Sequence, residues 1–561
     1  MDRETRRRVG EYRSQEAGPI ENNLIDELVA GELDRQEFLR RAALFGLGAG
    51  TVGALLRYVG EAELAFGAPA ALDQKRGGTL RIAVTKPGAA IEPSKLDTVG
   101  AVGLISIVGE YLTYSSPTGQ LRPWLATSWK ANKNATVWTF QIRRGVKFHN
   151  GRTLTADDVV ATFKVLAGKE STASSAYAGV LTPAGVRKTG PYTVQFRLEG
   201  PNGGFPYLVS QTTYQAMILP RNYKVGSFIA SKMPGTGPYK FQSYIEGRSA
   251  SFVRNTAYWG GMPLLDGVRV TLFEGSAPQV LALRAGQVDL VQQLSALEAA
   301  PLAGNSRFQI FTVKTANHRQ VGLRTDQEKF RDPRVRRAIA LTLNRPGLVR
   351  TLWRGRAIVG NDSPFTPLFR STSSDVKQRV RNISQARQLL EAAGATDLSF
   401  TVTPEPSLEI PDYAQVIQSS ARQAGIDVKL EILSYDDYYG SPPGQDYATT
   451  TPWLNREAVI TGYGHRAIPN VYLTAAFKTG GEWNQSRYSN KRFDSALNSF
   501  IRATDVATQR RYAKTMQTIL LNDAPVIIAY FYDWLAAGSP KVKGYVSEGL
   551  GAIGLRSVSL G

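Results

Sequence analysis

The chain has 561 residues, a formal net charge of +20 and no cysteine. Its length exceeds what one hydrophobic core supports, so we expect two or more domains. The hydrophobic fraction of 42% and aromatic fraction of 10% exclude a disordered or fibrous protein. The lack of cysteine excludes disulfides, thiolate metal sites, cysteine nucleophiles and a lipid anchor on an N-terminal cysteine.

Residues 1–70 have the pattern of an export signal segment. Arg40 and Arg41 precede an apolar run of about fifteen residues, AALFGLGAGTVGALL. A membrane-spanning helix needs roughly 20 residues, so this run favours an export signal, with an uncleaved membrane anchor as the alternative. The segment RQEFLR at 35–40 resembles the twin-arginine export motif, except that Gln36 replaces its second arginine. We expect an exported, soluble, periplasmic protein.

Residues 121–160 are predicted to form a strand, a turn and a helix. Apolar residues alternate with other residues over 137–142, the period-two pattern of a strand. Glycines then mark a turn, and Thr155 is a suitable N-cap for the next helix. Asp157 and Asp158 follow in the first turn, where unpaired N–H groups and the helix dipole favour carboxylates.

Sequence motifs of enzymes are missing from the chain. It contains no G-x-S-x-G elbow, no phosphate-binding G-x-x-x-x-G-K-S/T loop and no H-E-x-x-H. The three histidines, His149, His318 and His465, are far apart in sequence, which disfavours a preformed metal site. The acidic pairs at 157–158 and 436–437 are expected to cap helices. We therefore expect no catalytic residue, no metal site and no cofactor.

The positive charge does not by itself indicate a nucleic-acid partner. The first 70 residues carry more acidic than basic residues, so the rest of the chain is more basic than the whole. Those basic residues are scattered, with no run of five, whereas a nucleic-acid surface would cluster them. A solvated basic surface is the favoured interpretation, with an anionic ligand or acidic lipid as the alternative.

Seven segments occur in an order that resembles one protein family. They are LRPWLATSWKANKNATVWTFQIRRGVKFHNGRTLTADDVV at 121–160, GGTLR at 77–81, GTGPY at 235–239, NTAYWG at 255–260, GQVD at 286–289, DPRVRRAIALTLNR at 332–345 and EWNQSRYSNKRFD at 482–494. The chain resembles the solute-binding proteins of peptide-type ABC importers, extracellular solute-binding protein family 5. The long, ordered set of matches makes coincidence a poor explanation.

The resemblance implies an α/β fold with two lobes, the type II periplasmic binding protein fold of the large peptide-binding class. Lobe I would take residues 71–315, including an extra domain at about 113–210. Lobe II would take 316–524, and residues 525–561 would return to lobe I through a two-strand hinge. The lobes would close around the ligand.

The resemblance also implies where the ligand binds. Relatives that bind peptides carry a glycine, an aromatic residue and soon afterwards an aspartate that pairs with the peptide ammonium. This chain has Gly462, Tyr463, Gly464, His465 and Arg466 there. His465, beside Arg466, occupies the acidic position, and neither of these two residues can neutralise an ammonium as a carboxylate does. A shifted loop would instead use Asp446 or another acid. The remaining ligand candidates are Tyr111, Trp453, Trp483 and Asn484.

These residue types predict a ligand preference. Arginine binds planar anions through two hydrogen bonds, and aromatic faces stack on sugar rings or guanidinium groups. Opines, modified peptides or oligosaccharides are therefore expected to fit better than cationic peptides. The chain is predicted to capture a peptide or peptide-like solute and deliver it to membrane permease subunits as a monomer. The alternatives of another class are a hydrolase and a chaperone-like or adhesive protein.

Overall fold

The computed structural model describes residues 75–561 except 89–90, 97, 117–120 and 443. Residues Arg76–Gly561 form one compact unit. The export segment predicted at 1–70 lies outside the described residues. Among those that are described, no helix combines the length and the apolar composition that a membrane crossing requires.

The strands follow one another along the whole described chain. In chain order they are β1 (Thr79–Thr85), β2 (Thr113–Ser115), β3 (Leu121–Pro123), β4 (Ala126–Ala131), β5 (Val137–Ile142), β6 (Leu181–Gly190), β7 (Thr193–Leu198), β8 (Tyr239–Ile245), β9 (Ser249–Arg254), β10 (Gly267–Phe273), β11 (Leu290–Leu294), β12 (Gln309–Val313), β13 (His318–Leu323), β14 (Ala357–Val359), β15 (Ser399–Pro404), β16 (Asp427–Leu430), β17 (Ala458–Tyr463), β18 (Val526–Ile527), β19 (Tyr530–Tyr532), β20 (Trp534–Gly538), β21 (Val542–Lys543), β22 (Val546–Ser547), β23 (Ile553–Gly554) and β24 (Ser559–Leu560).

Helices separate many of these strands. They are α1 (Val99–Val108), α2 (Ala156–Leu166), α3 (Ser174–Tyr177), α4 (Phe205–Leu208), α5 (Ser276–Arg284), α6 (Ala296–Ala299), α7 (Glu328–Arg331), α8 (Pro333–Leu341), α9 (Arg345–Leu352), α10 (Ile383–Ala392), α11 (Ile410–Arg422), α12 (Tyr435–Tyr439), α13 (Tyr447–Thr450), α14 (Pro452–Asn455), α15 (Asn470–Tyr472), α16 (Lys491–Arg502) and α17 (Val506–Asp523). Single 3-10 turns lie at Pro93–Lys95 and Tyr214–Ala216, and a π turn lies at Leu473–Phe477.

The first of two large sheets has seven strands in the order β12-β20-β11-β1-β10-β9-β8. Strand β1 lies in its middle and pairs in parallel with β10 and β11. Alternate residues of β1, among them Leu80, Ile82 and Val84, join a core that also includes α1 and the strands at 126–198. Burial on both faces is what gives such a strand its apolar sequence.

The second large sheet has the order β14-β19-β13-β17-β15-β16, with β18 also paired to β13. Strand β13 pairs antiparallel with β17, and His318 lies opposite Tyr463. Helices α8, α9 and α11 cover this sheet through a second apolar core. A third core fills the space between β19 and helices α16 and α17.

The chain crosses between the two large sheets twice. It leaves β12 of the first sheet at Val313 and enters β13 of the second at His318. It leaves β19 at Tyr532 and returns to the first sheet in β20 at Trp534. Strands β18 and β19, which lie in the range predicted to return to lobe I from residue 525, pair with β13 and β14 of the second sheet.

A separate four-stranded sheet, β4-β5-β7-β6, lies within the range predicted for the extra domain. The predicted strand and helix of this region are confirmed. Strand β5 buries Trp138, Phe140 and Ile142. Helix α2 begins after Thr155, whose backbone N–H donates to Oδ2 of Asp158 at 2.8 Å. The domain boundaries proposed from the sequence stay a prediction.

Candidate ligand-binding site

A cavity lies beside the segments that cross between the two large sheets. The first wall is formed by residues on the side of the first sheet. They lie in and just after β2, after α4, at the end of β12 and between β22 and β23. The opposite wall comes from the loop that follows β17 of the second sheet. The lining residues are Tyr114, Ser115, Ser116, Gln211, Thr212, Val313, His465, Glu548, Gly549 and Leu550.

His465 is the predicted ligand residue that lines this cavity. Its Nδ1 accepts a hydrogen bond from the backbone N–H of Ala316 at 2.9 Å. A backbone N–H only donates, so Nδ1 carries no hydrogen and the neutral ring has its hydrogen on Nε2. Burial, together with the smaller effect of the neighbouring Arg466 charge, lowers the pKa of His465 to about 4. At neutral pH the imidazole is therefore an uncharged ring with one N–H donor.

Asn317 ties both walls of the cavity to the first crossing segment. Its Oδ1 accepts from the backbone N–H of His465 at 2.6 Å, and its Nδ2 donates to the carbonyl of Gly549 at 3.0 Å. The second crossing joins the same network, because the backbone N–H of Tyr532 donates to the carbonyl of Asn317 at 2.9 Å. Thr315 Oγ1 donates to the carbonyl of Tyr532 at 2.6 Å. The crossing segments thus fix the relative positions of His465 and Gly549.

Glu548 places a carboxylate in the cavity. The Glu548 carboxylate accepts one hydrogen bond from a described residue, from the hydroxyl of Tyr114 at 3.5 Å. No described arginine or lysine forms an ion pair with this carboxylate. Burial raises the pKa of Glu548 to about 7, and the Tyr114 hydroxyl opposes this shift only in part. The cavity therefore contains an acid without a cationic partner among the described residues.

Arg466 follows His465 in the loop that forms the second wall, but it does not itself line the cavity. Its Nη1 donates to the carbonyl of His465 at 2.9 Å, and its guanidinium lies 5.2 Å from the centre of the Tyr214 ring. Tyr214 belongs to the first wall's side of the molecule, so this cation–π contact joins the loop after β17 to the 3-10 turn at 214–216. The carbonyl of Tyr214 accepts from the hydroxyl of Tyr111 at 3.1 Å.

The aromatic candidates lie away from the cavity wall. Tyr111 is buried in the first core, and burial raises the pKa of its hydroxyl above the usual range. Trp453 packs with Tyr438 and Leu454 and donates from Nε1 to the hydroxyl of Tyr447 at 2.9 Å. Trp483 packs against this small cluster, as partly buried hydrophobic surface. The two tryptophan rings therefore belong to a small apolar cluster, and neither of them lines the cavity.

Tyr463 links those rings to the sheet. It stacks on His318 with ring centroids 5.3 Å apart and planes 4° apart, and its ring lies 6.2 Å from that of Trp483. Gly462 donates its N–H to Oε2 of Glu405 at 2.7 Å, and the carbonyl of Gly464 accepts from the hydroxyl of Tyr472 at 2.6 Å.

The remaining candidates satisfy local hydrogen bonds. Asn484 is 2% exposed, and its amide donates to the carbonyls of Lys478 and Tyr488 within its own loop. Asp446 caps helix α13 by accepting from the backbone N–H of Ala448 at 3.2 Å. The acid pair at 436–437 also acts in a cap, because Asp437 bonds with the N-cap Ser434. The structure therefore brings His465 to the cavity and leaves these groups elsewhere.

Sequence reasoning missed Tyr114, Gln211 and Glu548. Tyr114 and Gln211 stand in stretches that contain no motif assigned to binding. Glu548 stands in the segment SEGLGAIGL, a lone acid among small and apolar residues near the end of the chain. Such a residue is a weak signal for a ligand site, because only the return of the chain to the first sheet carries it to the cavity.

A second, larger cavity lies where residues 178–202 approach residues 474–502. Glu199, Lys478 and Arg502 line it, together with backbone-rich segments. None of the residues predicted to bind ligand contributes to this cavity. The smaller cavity is the one that contains both a residue predicted to bind ligand, His465, and an unpaired acid, Glu548.

Comparison with known proteins assigns the chain to a family. A model of the middle region of the bacterial extracellular solute-binding proteins, family 5, matches residues 120–485, more than half of the chain. Heme-binding protein A of Haemophilus influenzae is 24% identical over 486 residues, covering 81% of this chain and 87% of that protein. The oligopeptide-binding protein AppA of Bacillus subtilis is 25% identical over 468 residues, covering 78% of this chain and 82% of that protein.

A solved structure shares the fold. The ABC transporter-associated periplasmic binding protein DppA of Helicobacter pylori, in complex with the peptide STSA, matches with a TM-score of 0.74 at 23% identity. The match covers 87% of this chain and 99% of DppA. The predicted α/β fold of the type II periplasmic binding proteins is thereby confirmed. The chain belongs to the bacterial extracellular solute-binding proteins of family 5.

Proposed function

We propose that the solute captured by this ABC-transporter substrate-binding protein is a short peptide or peptide-like molecule, held in the cavity beside the crossing segments. The observation that carries the proposal is the composition of that cavity. It is lined from both large sheets by a carboxylate, a neutral imidazole N–H and several hydroxyl and amide groups. A peptide offers the complementary set, which is an ammonium, amide N–H groups and carbonyl oxygens.

The proposed role is capture and delivery without chemistry. A ligand that contacts both walls favours the arrangement in which the walls are close, by the difference between its affinities for the closed and open states. The closed protein would then dock on permease subunits, and ATP hydrolysis would belong to other proteins. We propose that it acts as a monomer in the periplasm after export. Relatives named for peptides and for heme indicate that the fold alone does not select the solute.

A second candidate ligand class is an anionic solute such as an opine. Arg466 favours it, because the guanidinium lies over Tyr214 and donates a hydrogen bond only to the backbone carbonyl of His465 among the described groups. A ligand carboxylate would give this guanidinium a bidentate partner. An oligosaccharide has no such observation in its favour.

The test is ligand binding by the full chain. Thermal unfolding would be measured with libraries of di- to pentapeptides, opines, oligosaccharides and metal chelates, followed by calorimetry on the hits. We expect peptides to stabilise the protein, by about 2.7 kcal/mol at a hundred times the dissociation constant. Bound peptide should be recovered intact by mass spectrometry.

Three results would contradict the proposal. Stabilisation by opines or another class with none by peptides would reassign the ligand. Cleavage of the peptide would instead favour a hydrolase. Salt-sensitive binding to anionic vesicles, with indifference to every small solute, would favour the adhesive alternative.

A further inference from the structure

We infer that Glu548, in the C-terminal segment between β22 and β23, receives the ammonium group of the ligand, while the loop after β17 donates hydrogen bonds to ligand oxygens. This inference rests on the proposed peptide function and specifies its chemistry. In relatives that bind peptides, the resemblance places the acid that pairs with the ammonium in the loop after β17, on the second wall. The inference assigns this role to Glu548 on the first wall. The ligand class is then a peptide or peptide-like solute with a free ammonium at one end.

The first step concerns which lining group attracts a cation. Tyr114, Ser115, Gln211 and Thr212 are uncharged, and His465 is neutral with Nδ1 already engaged by Ala316. Glu548 is therefore the single acidic side chain among the residues that line this cavity. An isolated buried carboxylate is unfavourable, and an ammonium removes that cost through a charge-assisted hydrogen bond.

The second step concerns how firmly Glu548 is held. Gly549 follows it, and a Cβ on Gly549 would lie 2.5 Å from Cγ2 of Thr315, so the backbone approaches the first crossing segment closely. The carbonyl of Gly549 accepts from Asn317, and the carbonyl of Gly551 accepts from the side chain of Gln292. Glycines permit this contact, and the two side chains fix the acid relative to the crossing.

The third step concerns the opposite wall. His465 presents an N–H donor from Nε2, and Arg466 presents a guanidinium. Both groups suit carbonyl or carboxylate oxygens, whereas the Nε2–H of His465 offers an ammonium no acceptor and the positive charge of Arg466 repels it. A ligand that bridges the cavity therefore has its cationic end at Glu548 and an oxygen near His465. The two walls select the direction of the ligand.

A further polar atom is available on the Glu548 side. Ser115 is 4% exposed, and its Oγ has no hydrogen-bond partner among the described residues. Its backbone N–H and carbonyl are both bonded to the side chain of Gln211, at 2.9 and 2.5 Å. The Gln211 amide thus holds the strand end in place, and the free hydroxyl is left to bind a ligand N–H. Removing the Ser115 hydroxyl should weaken binding less than removing the Glu548 charge.

The experiment compares two probes on four proteins. The probes are a tripeptide library with free N-termini and the same library with acetylated N-termini, bound to the full chain and detected by native mass spectrometry and calorimetry. The proteins are the wild type, Glu548→Gln, Glu548→Asp and the control Glu274→Gln. Glu274 is a matched control because its side chain is 83% exposed and pairs with Lys86 at 3.0 Å on the surface.

We expect acetylation to weaken binding to the wild type at least tenfold. Glu548→Gln should lose at least tenfold in affinity for free tripeptides and should no longer distinguish the two libraries. Glu274→Gln should match the wild type. Glu548→Asp should recover part of the discrimination, which a purely structural role of Glu548 would not predict. Circular dichroism and the melting temperature of each variant establish that it is folded.

The outcomes separate this inference from the proposed function. Wild-type binding of free tripeptides that Glu548→Gln leaves unchanged would overturn the inference and leave the peptide function standing. Equal or tighter wild-type binding of acetylated tripeptides would do the same. Failure of the wild type to bind either library would contradict the proposed function, and the inference would fall with it.

Discussion

Glu548 keeps its proton to an unusually high pH, because burial raises the pKa of its carboxyl to about 7. The groups that face it do not titrate between pH 5.5 and 7.5. They are the hydroxyls of Tyr111, Tyr114 and Tyr545, whose pKa values burial raises above the usual range, and the imidazole of His465, whose pKa is about 4. A peptide ammonium stays charged in the same range, since its pKa is about 8.

Peptide affinity should therefore fall as the pH falls from 7.5 to 5.5. The ammonium binds the ionised carboxylate, and at pH 5.5 most of the unliganded protein carries a protonated Glu548. With a pKa of about 7, the ionised fraction changes by more than tenfold over this range, and so should the affinity. Calorimetry at both pH values measures it, and Glu548→Gln should give a flat profile. A wild-type profile as flat as that of the variant would argue against ionisation of Glu548.

Arg319 and Glu409 connect strand β13 to helix α11 at the scale of the elements. Nε and Nη2 of Arg319 donate to the two carboxylate oxygens of Glu409 at 2.8 and 3.0 Å. The Arg319 and Glu409 side chains are 4% and 1% exposed. Nη1 of Arg319 also donates to the hydroxyl of Tyr532 at 2.9 Å, and the guanidinium lies 4.2 Å from the centre of the Tyr532 ring. Despite burial, the charge of Glu409 and neighbouring tyrosines raises the pKa of Arg319 well above its usual value.

Glu409→Ala should destabilise the protein by about 3–5 kcal/mol, because it leaves a buried guanidinium without its carboxylate. The matched control is Asp412→Ala in the first turn of the same helix, where the carboxylate is exposed and its loss should cost about 1 kcal/mol or less. Urea unfolding followed by tryptophan fluorescence measures both. Equal effects of the two substitutions would mean that the buried pair contributes no more than a surface charge.

Elements with a local pattern were predictable from the sequence, whereas elements defined by distant pairing were not. Strand β5 shows period-two alternation, and Thr155 and Asp158 specify the start of α2, so both followed from a few neighbouring residues. Strands β18 and β19 are two and three residues long, and their sheet is fixed by pairing with β13 and β14, far away in sequence. The residues around position 525 do not by themselves contain that information.

The candidate site divides in the same way. His465 follows a strand end that carries a recognisable motif, so its neighbourhood could be inferred from the sequence. Glu548 reaches the cavity through hydrogen bonds that join residues 317 and 549, which no periodicity in the chain reveals. His465 and Glu548 together set the chemistry of the cavity. Only the position of His465 could be inferred from the sequence, because the position of Glu548 depends on the tertiary fold. The anionic preference inferred from His465 and Arg466 alone therefore omitted the acid opposite them.

The whole molecule is organised around two sheets and the two segments that cross between them. Asn317 lies in the first crossing, is 1% exposed and bonds to a residue on each wall of the cavity. A change in the distance between the walls must therefore break or strain hydrogen bonds at Asn317. We therefore expect ligand binding and the relative position of the sheets to be coupled at this residue, and the coupling can be measured separately from the ligand contacts.

Ligand should reduce the radius of gyration of the wild-type protein in small-angle scattering, since a solute that contacts both walls favours the closed arrangement. Asn317→Ala removes the side-chain bonds to His465 and Gly549 and should reduce affinity about tenfold, with less compaction at equal occupancy. Asn305→Ala is the control, because Asn305 bonds to the nearby backbone N–H of Arg307 in an exposed turn. If Asn317→Ala lowered affinity yet compacted as fully as the wild type at saturation, Asn317 would position His465 without governing closure. Compaction of neither protein would mean that peptide capture proceeds without closure of the two sheets.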